Sequence, residues 1–216
     1  MRRTLYAHSG PALSSIEGLR VGCFCLLLLL SGIFGGCASL GRYSPLVETG
    51  SQASPEEAIR NAENYLQNRP NWEIDCSHFV LACYHSPKMN AFLNRRKYSH
   101  NLTYDLNYYL TQHKTRRPRA TTIQPGDILI FNKTYDINRD GHINAKDVFT
   151  HTGIVESFKD WIITFIDASE SRKPPHLRRR RFSFYRDKYN DVVATDRATG
   201  RKIHARETFY AAYAVP

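Results

Sequence analysis

The sequence has few cysteines and no apolar run long enough to cross a bilayer comfortably. Five of its 216 residues are cysteine, so their positions matter more than their number. The apolar stretch Val21–Phe34 is shorter than the roughly 20 residues that a membrane-spanning helix needs. Acidic residues number 20 against 30 basic ones, which gives a formal net charge of +10. The hydrophobic fraction of 42% and the aromatic fraction of 12% are enough for a folded core and exclude a disordered chain.

Residues 1–36 have the pattern of a lipoprotein signal peptide. A basic start that extends to Arg20 is followed by the apolar stretch and then by small residues, as in a cleaved export signal. Residues 34–37, Phe-Gly-Gly-Cys, resemble a bacterial lipobox, in which the cysteine, here Cys37, is lipidated and becomes the new N-terminus. By analogy with Gram-negative sorting, Ser39 favours the periplasmic face of the outer membrane. A plain signal peptide and an uncleaved membrane anchor are the alternatives.

Cys23 and Cys25 would leave with the signal peptide, and Cys37 would carry the lipid. Two free cysteines then remain, Cys76 and Cys83. They lie on one predicted helix, and seven residues of helix rise by about 10 Å, which is too far for a disulfide. A free cysteine in an exported protein is unusual, because the compartment is oxidising. The pattern therefore indicates a catalytic thiol, and a buried structural cysteine is the alternative.

The stretch around Cys76 predicts an amphipathic helix that opens with the thiol. Asp75 is a suitable N-cap, since its carboxylate can accept the amide hydrogens of the first turn. Cys76 then occupies the first helical position, where the positive end of the helix dipole favours the thiolate. Phe79 and Val80 follow at helical spacing, so that one face can be buried and can hold the cysteine in place.

The remaining pattern predicts a tether over residues 37–53 and one folded domain over residues 54–216. Helices come first and strands follow, which predicts an α+β fold with N-terminal helices packed on an antiparallel sheet. A proline and a capping-box glutamate mark a helix from Ser54 to about Gln67. Two further helical pieces are predicted within residues 88–114, and strands are predicted at residues 127–131, 151–156, 161–167 and 209–215.

Three polar residues in this arrangement form a candidate catalytic site. The second and third strands are joined by a short turn, placed at residues 158–160, so His151 and Asp167 should be neighbours across an antiparallel hairpin. A nucleophilic cysteine needs a base, and the base needs an acceptor that orients it. Cys76, His151 and Asp167 supply these parts, whereas His78 and His85 point elsewhere along the Cys76 helix.

These motifs resemble those of the NlpC-type and CHAP cysteine peptidases, papain-like enzymes that cleave peptidoglycan peptides. The resemblance implies a papain-like fold, with Cys76 as nucleophile, His151 as general base and Asp167 as the third polar residue. It also implies hydrolysis of cell-wall amide bonds through a thioester. The alternative is a papain-like envelope lipoprotein that is catalytically inert or transfers acyl groups, and that serves as a calcium-braced binding module. The motifs, in the family's order, are residues 75–80, 125–131, 151–155 and 165–169.

Residues 136–147 match the calcium loop of EF-hand and dockerin type. Oxygen-bearing side chains fall at positions 1, 3, 5, 9 and 12, and Gly141 falls at position 6, as this loop requires. The pattern predicts a structural calcium ion that braces the strand of His151, and a surface turn that binds nothing is the alternative. The predicted ligands are Asp136, Asn138, Asp140, Asn144 and Asp147, with the backbone carbonyl of His142.

The basic run Arg178–Arg181 permits two interpretations. It is either a solvated strand edge or a surface for an anionic partner such as cell-wall polymer or lipid headgroups. Nucleic acid is not expected, because the export signal argues against it and no recognition module is visible. The sequence does not predict an oligomeric state.

Overall fold

The computed structural model of the protein describes residues 51–70, 73–96, 101–169 and 176–216. The predicted signal peptide, Cys37 and the tether as far as residue 50 lie outside the described residues. Within these ranges, four α-helices and a short 3-10 helix at Ala120–Thr122 precede the main sheet, so the predicted α+β class is confirmed. The elements are α1 Pro55–Gln67, α2 Cys76–Tyr84, α3 Pro87–Arg96, α4 Leu102–Gln112, β1 Ile128–Phe131, β2 His151–Lys159, β3 Ile162–Ser169, β4 His176–Ser183, β5 Val192–Thr195, β6 Lys202–His204, α5 Ala205–Thr208 and β7 Phe209–Tyr213.

Helix α1 begins as its sequence predicts. The Ser54 hydroxyl accepts the Glu57 amide hydrogen at 3.2 Å, and the Glu57 carboxylate accepts the Ser54 amide hydrogen at 3.0 Å. Pro55 at the first helical position loses nothing by lacking an amide hydrogen there. Ala58 and Ala62 are buried, and their small side chains let the helix lie close to the rest of the core.

Helix α2 carries the candidate nucleophile at its start. Asp75 caps it by accepting the His78 amide hydrogen at 2.8 Å, and the helix ends at Tyr84, where His85 adopts a left-handed conformation with φ of 48°. The buried side chains of Phe79, Val80, Leu81 and Cys83 hold the helix against the core. Cys76 is therefore presented by a helix that cannot rotate freely.

The main sheet has five strands in the order β4-β3-β2-β1-β7, and every neighbouring pair is antiparallel. Side chains alternate between its two faces because a strand has a period of two residues. One face packs on the helices through Ile128, Ile130, Ile154 and Ile166. The opposite face buries a second cluster, which includes Leu129, Phe131, Val155, Phe165 and Phe182.

Gly126 lies in the turn before β1 and contacts the start of α1. Its φ is +85°, and a Cβ there would lie 2.4 Å from the Cβ of Pro55. Glycine alone meets both the left-handed conformation and the close approach. This turn therefore lets the start of the first helix lie directly against the chain that enters the first strand.

Two parts of the fold differ from the sequence prediction. The β2–β3 turn lies at Asp160 and Trp161, whose φ values are 52° and 63°, and not at residues 158–160. Strand β2 runs on to Lys159 because Phe158 and Lys159 still pair with β3. Strands β5 and β6 and helix α5 were not predicted, and the Arg178–Arg181 run lies on the edge strand β4, which is one of the two interpretations that the sequence allows. None of the helices in the described ranges is long and apolar enough to cross a membrane.

Candidate active site

Cys76 lies at the first position of α2, partly exposed. Its Sγ atom is 3.7 Å from the Thr103 hydroxyl and 3.8 Å from the Ser77 hydroxyl. The two hydroxyls are buried and lie 2.7 Å apart. Each hydroxyl has one hydrogen to donate, so one hydrogen joins the pair and the other is free to point at the sulfur. This arrangement suits a thiolate.

Thr103 was not identified from the sequence. It belongs to α4, whose N-cap is Asn101, and reaches Cys76 across a separation of 27 residues. Nothing in the local pattern around Thr103 distinguishes it from other residues of an amphipathic helix. The packing of α4 against α2 brings it to the sulfur.

His151 and Asp167 are in contact, as the hairpin geometry predicts. Nε2 of His151 lies 2.7 Å from Oδ2 of Asp167, and both side chains are buried. His151 opens β2 opposite Phe131 of β1, and the two rings lie 5.8 Å apart. With Nε2 held by the carboxylate, Nδ1 is the nitrogen left to face the thiol.

The surroundings of His151 favour its charged form. Burial acts to lower its pKa, but the charge of Cys76 and the hydrogen bond and charge of Asp167 outweigh burial and raise the pKa to about 9. A hydrogen bond with the Cys76 side chain also contributes, so the sulfur lies within reach of the imidazole. The site therefore favours an imidazolium beside the sulfur at neutral pH.

Gly153 leaves room for this pair of side chains. A Cβ at this position would lie 2.9 Å from the carbonyl oxygen of Ile166 and 3.3 Å from the Cβ of Asp167. Any larger residue would push β3 away from β2 at the position of the carboxylate. The glycine of the His-Thr-Gly motif is thus explained by the close approach of these strands.

Arg180 completes the charged cluster and was missed as a site residue. Its side chain is 4% exposed, and Nε lies 3.3 Å from Oδ1 of Asp167. These two atoms are close enough for an ion pair but are not aligned for a hydrogen bond. The guanidinium also donates to the Val192 carbonyl at 2.7 Å and to the Ser169 hydroxyl at 3.2 Å.

The rest of the basic run is mostly paired within the fold. Arg179 donates to Glu156 at 2.7 and 2.8 Å, and Arg181 lies 3.9 Å from Asp191. Strand alternation places Arg178 and Arg180 on one face and Arg179 and Arg181 on the other, so it does not single out Arg180. No local pattern indicates what that arginine meets, since Asp167 lies on another strand.

The rival histidines do not join the site. Nδ1 of His78 lies 2.9 Å from the Asp75 carboxylate, and His85 caps the far end of α2. Burial raises the pKa of Asp75, but its hydrogen bonds and charge interaction with His78 lower it overall.

The predicted calcium loop folds around Asp140 and Asp147. The Asn138 and Asn144 amides each lie 3.0 Å from Oδ2 of Asp140, and Asp136 accepts the Gly141 amide hydrogen at 2.9 Å. The Asn138 and Asn144 side-chain oxygens accept the amide hydrogens of Asp140 and Lys146 at 3.0 and 2.9 Å. To join the carboxylates as ligands of a hard cation, these oxygens would have to leave those hydrogen bonds.

Asp147 closes this loop. It is fully buried, and its two carboxylate oxygens accept the amide hydrogens of Ile137 at 3.0 Å and Asn144 at 2.7 Å. In the described part of the chain, no group of three or more His, Cys, Asp or Glu side chains is placed to hold a metal ion. A calcium ion here would depend on asparagine and backbone oxygens as well as on carboxylates.

A cavity of about 430 Å³ lies beside β7, away from these residues. Its lining includes Arg116, Arg117 and Arg119 but none of the three candidate catalytic residues. Arg117 is paired with Asp127 at 2.7 Å. Size alone does not make this cavity the active site, because it holds no nucleophile.

Comparison of the chain with protein-family models, with curated proteins and with solved structures found no match.

Proposed function

We propose that this protein is a cysteine hydrolase that cleaves amide bonds in cell-wall peptides. The observation that carries the proposal is the contact chain in which Cys76 opens a helix beside His151, and His151 is held by Asp167 at 2.7 Å. This is the order of nucleophile, base and orienting acceptor that thiol catalysis needs. The resemblance to NlpC-type and CHAP peptidases supports a papain-like fold and peptidoglycan as the substrate.

In the first half of the reaction, the Cys76 thiolate attacks the carbonyl carbon of the amide. The Cys76 backbone N–H has no partner within the helix, because it belongs to the first turn, and it can stabilise the developing oxyanion. The His151 imidazolium then gives its proton to the leaving amine as the carbon–nitrogen bond breaks. The acyl group remains on Cys76 as a thioester.

In the second half, His151 acts as a base. It takes a proton from water as the water oxygen attacks the thioester, and the carbon–sulfur bond breaks. The products are a carboxylic acid and the regenerated thiolate–imidazolium pair. Asp167 holds the imidazole in one orientation throughout and stabilises the imidazolium when it forms.

The proposed location is the periplasmic face of the outer membrane, with a lipid anchor on Cys37. The lipobox-like residues 34–37 and the apolar stretch before them support it. Metabolic labelling with a fatty-acid analogue should mark the native protein and should fail for Cys37→Ala. An unlabelled native protein would reject the anchor while leaving the chemistry untouched.

A structural calcium ion is part of the proposal. The residues that would hold it are Asp136, Asn138, Asp140, Asn144 and Asp147, with the carbonyl of His142, and it would supply local rigidity rather than a chemical step. The support is the spacing of these oxygens and the folding of the loop around Asp140.

The proposed nucleophile is tested by selective labelling. At neutral pH, iodoacetamide should modify Cys76 well before Cys83, because Cys83 is buried and burial raises the pKa of its thiol. Mass spectrometry of the peptide that carries both residues resolves the two sites. An unreactive Cys76 would reject the hydrolase and favour the binding lipoprotein.

A further inference from the structure

Arg180 adds a fourth charge to the candidate site. If the Cys76 thiolate and the His151 imidazolium are counted with the Asp167 carboxylate and the Arg180 guanidinium, the charges cancel. Without Arg180 the same cluster carries a net negative charge. A net charge in a buried site is costly because it loses its hydration.

We propose that Arg180 is a positioning residue that fixes Asp167 and supplies the positive charge balancing the thiolate at Cys76. The inference rests on the proposed function only in taking Cys76 as the nucleophile and His151 as its base. Arg180 does not touch the reacting atoms and acts through Asp167.

The geometry fits this role. The guanidinium is held at two other points, the Val192 carbonyl and the Ser169 hydroxyl, so it presents Nε to Oδ1 of Asp167 in one place. His151 occupies the other carboxylate oxygen. The carboxylate is thus fixed from both sides, by β2 and by β4.

Stability alone does not account for an arginine here. A buried ion pair often contributes no more to stability than well-packed apolar residues of the same volume. The neighbouring Arg179 of the same strand makes its ion pair with Glu156 at the surface. The strand therefore buries one arginine next to the candidate site and leaves the next one exposed.

The titratable groups that face the cluster come from several elements. Burial lowers the pKa of Arg180, whereas the charge of Asp167 raises it, that of Arg178 lowers it and that of Asp191 raises it. Arginine nonetheless stays charged in proteins. The groups that act on Cys76 are His151 from β2, Thr103 from α4 and Ser77 from its own helix. Asp75 and His78 are near it along the chain and are paired with each other.

The test is the pH dependence of Cys76 alkylation by iodoacetamide in the full-length protein, in a Cys83→Ala background. The modified Cys76 peptide is quantified by mass spectrometry between pH 4 and 10. Alkylation slows at low pH because the thiol becomes protonated, and this fall of the rate is the low-pH limb of the profile. In Arg180→Gln the low-pH limb should move to higher pH by about one unit, which makes the reaction roughly tenfold slower at pH values below its midpoint. Arg179→Gln is the matched control and should leave the limb in place.

The sign of the shift separates charge balance from a merely structural role. Asp167→Asn removes a negative charge, so its limb should move to lower pH, and Asp167→Asn/Arg180→Gln should return it towards the wild-type position. Arg180→Lys keeps the charge and should keep the limb near that of the wild type. If Arg180→Gln alone does not fold, the effect of the Arg180 charge is read from the difference in limb position between Asp167→Asn and the double variant.

An unmoved limb in Arg180→Gln, or an upward shift in Asp167→Asn, would overturn the role of Arg180. A wild-type Cys76 that does not react at neutral pH would overturn the proposed function itself, and this inference with it. The two failures are therefore distinguishable.

Discussion

Nε2 of His151 lies 2.7 Å from Oδ2 of Asp167, across a separation of 16 residues. The β2–β3 hairpin brings them together, since Ile154 pairs with Ile166 just beyond them. The contact is buried, so the carboxylate acts on the imidazole with little screening by solvent. This contact orients the proposed base and, together with the charge of Cys76, raises the pKa of His151.

The first prediction concerns pH. Folding raises the pKa of His151 from its ordinary value of 6.5 to about 9, so the folded state binds this proton more tightly than the unfolded state. The stabilisation from His151 should be complete below about pH 6.5 and should be lost as the pH rises through about 9. Urea denaturation of wild type and His151→Gln between pH 6 and 10 measures it.

The difference in unfolding free energy between these two proteins should shrink as the pH rises. In Cys76→Ala the pKa of His151, followed by NMR, should fall, because the charge of Cys76 is the largest influence that raises it. A titration of wild-type His151 near pH 6.5 would contradict the thiolate–imidazolium pair.

The second prediction concerns Gly153. In Gly153→Ala the added Cβ must displace the Ile166 carbonyl or the Asp167 side chain, which separates the carboxylate from His151. A displacement near 1 Å can cost on the order of a hundredfold in rate. Turnover should fall by that order, and substrate affinity should change little.

Gly200→Ala is the control for this variant. Gly200 has a φ of +71°, and a Cβ added there would have nothing within 4 Å, so its alanine variant is strained without touching the site. It should lower the melting temperature and keep turnover. Equal losses of turnover in the two variants would mean that stability, and not the position of Asp167, limits the rate.

The third prediction links calcium to turnover. An ion that binds only the folded state adds about 2.7 kcal/mol at a hundredfold excess over its dissociation constant. Asp140→Ala should abolish the calcium-dependent rise in melting temperature. Turnover should fall as well, since Asp147 ends the loop four residues before His151.

Asp160→Asn, in the β2–β3 turn, is the control and should respond to calcium and chelator like the wild type. Melting curves that do not change with calcium in any protein would mean that residues 136–147 form only a turn. If the melting temperature depends on calcium but turnover does not, the loop binds calcium and the proposed link between the ion and His151 is rejected.

Much of the fold follows from local chemistry. Ser54 with Glu57 marks the start of α1, and Asp75 marks that of α2, because a cap is a contact between residues three apart. The contact of His151 with Asp167 was also predictable, since a short turn joins their strands. These features depend on nearby residues, which a single sequence displays.

The parts that sequence did not predict depend on contacts between distant segments. Thr103 meets Cys76 because α4 packs beside α2, and Arg180 meets Asp167 because β4 pairs with β3. Residues 176–208 contain a run of charges and short polar strands, so their apolar pattern was too weak to predict β5 and β6 and left a strand as one of two interpretations for β4. The turn at Asp160 and Trp161 was misplaced because tryptophan is not typical of a left-handed conformation.

The most direct test of the proposed function is digestion of purified peptidoglycan, with released peptides followed by mass spectrometry. Wild type and Cys83→Ala should release peptides bearing new amino and carboxyl ends, and Cys76→Ala should release none while still unfolding in a single cooperative melting transition. Release by Cys76→Ala, or its loss in a folded Cys83→Ala, would contradict the assignment of Cys76 as the nucleophile.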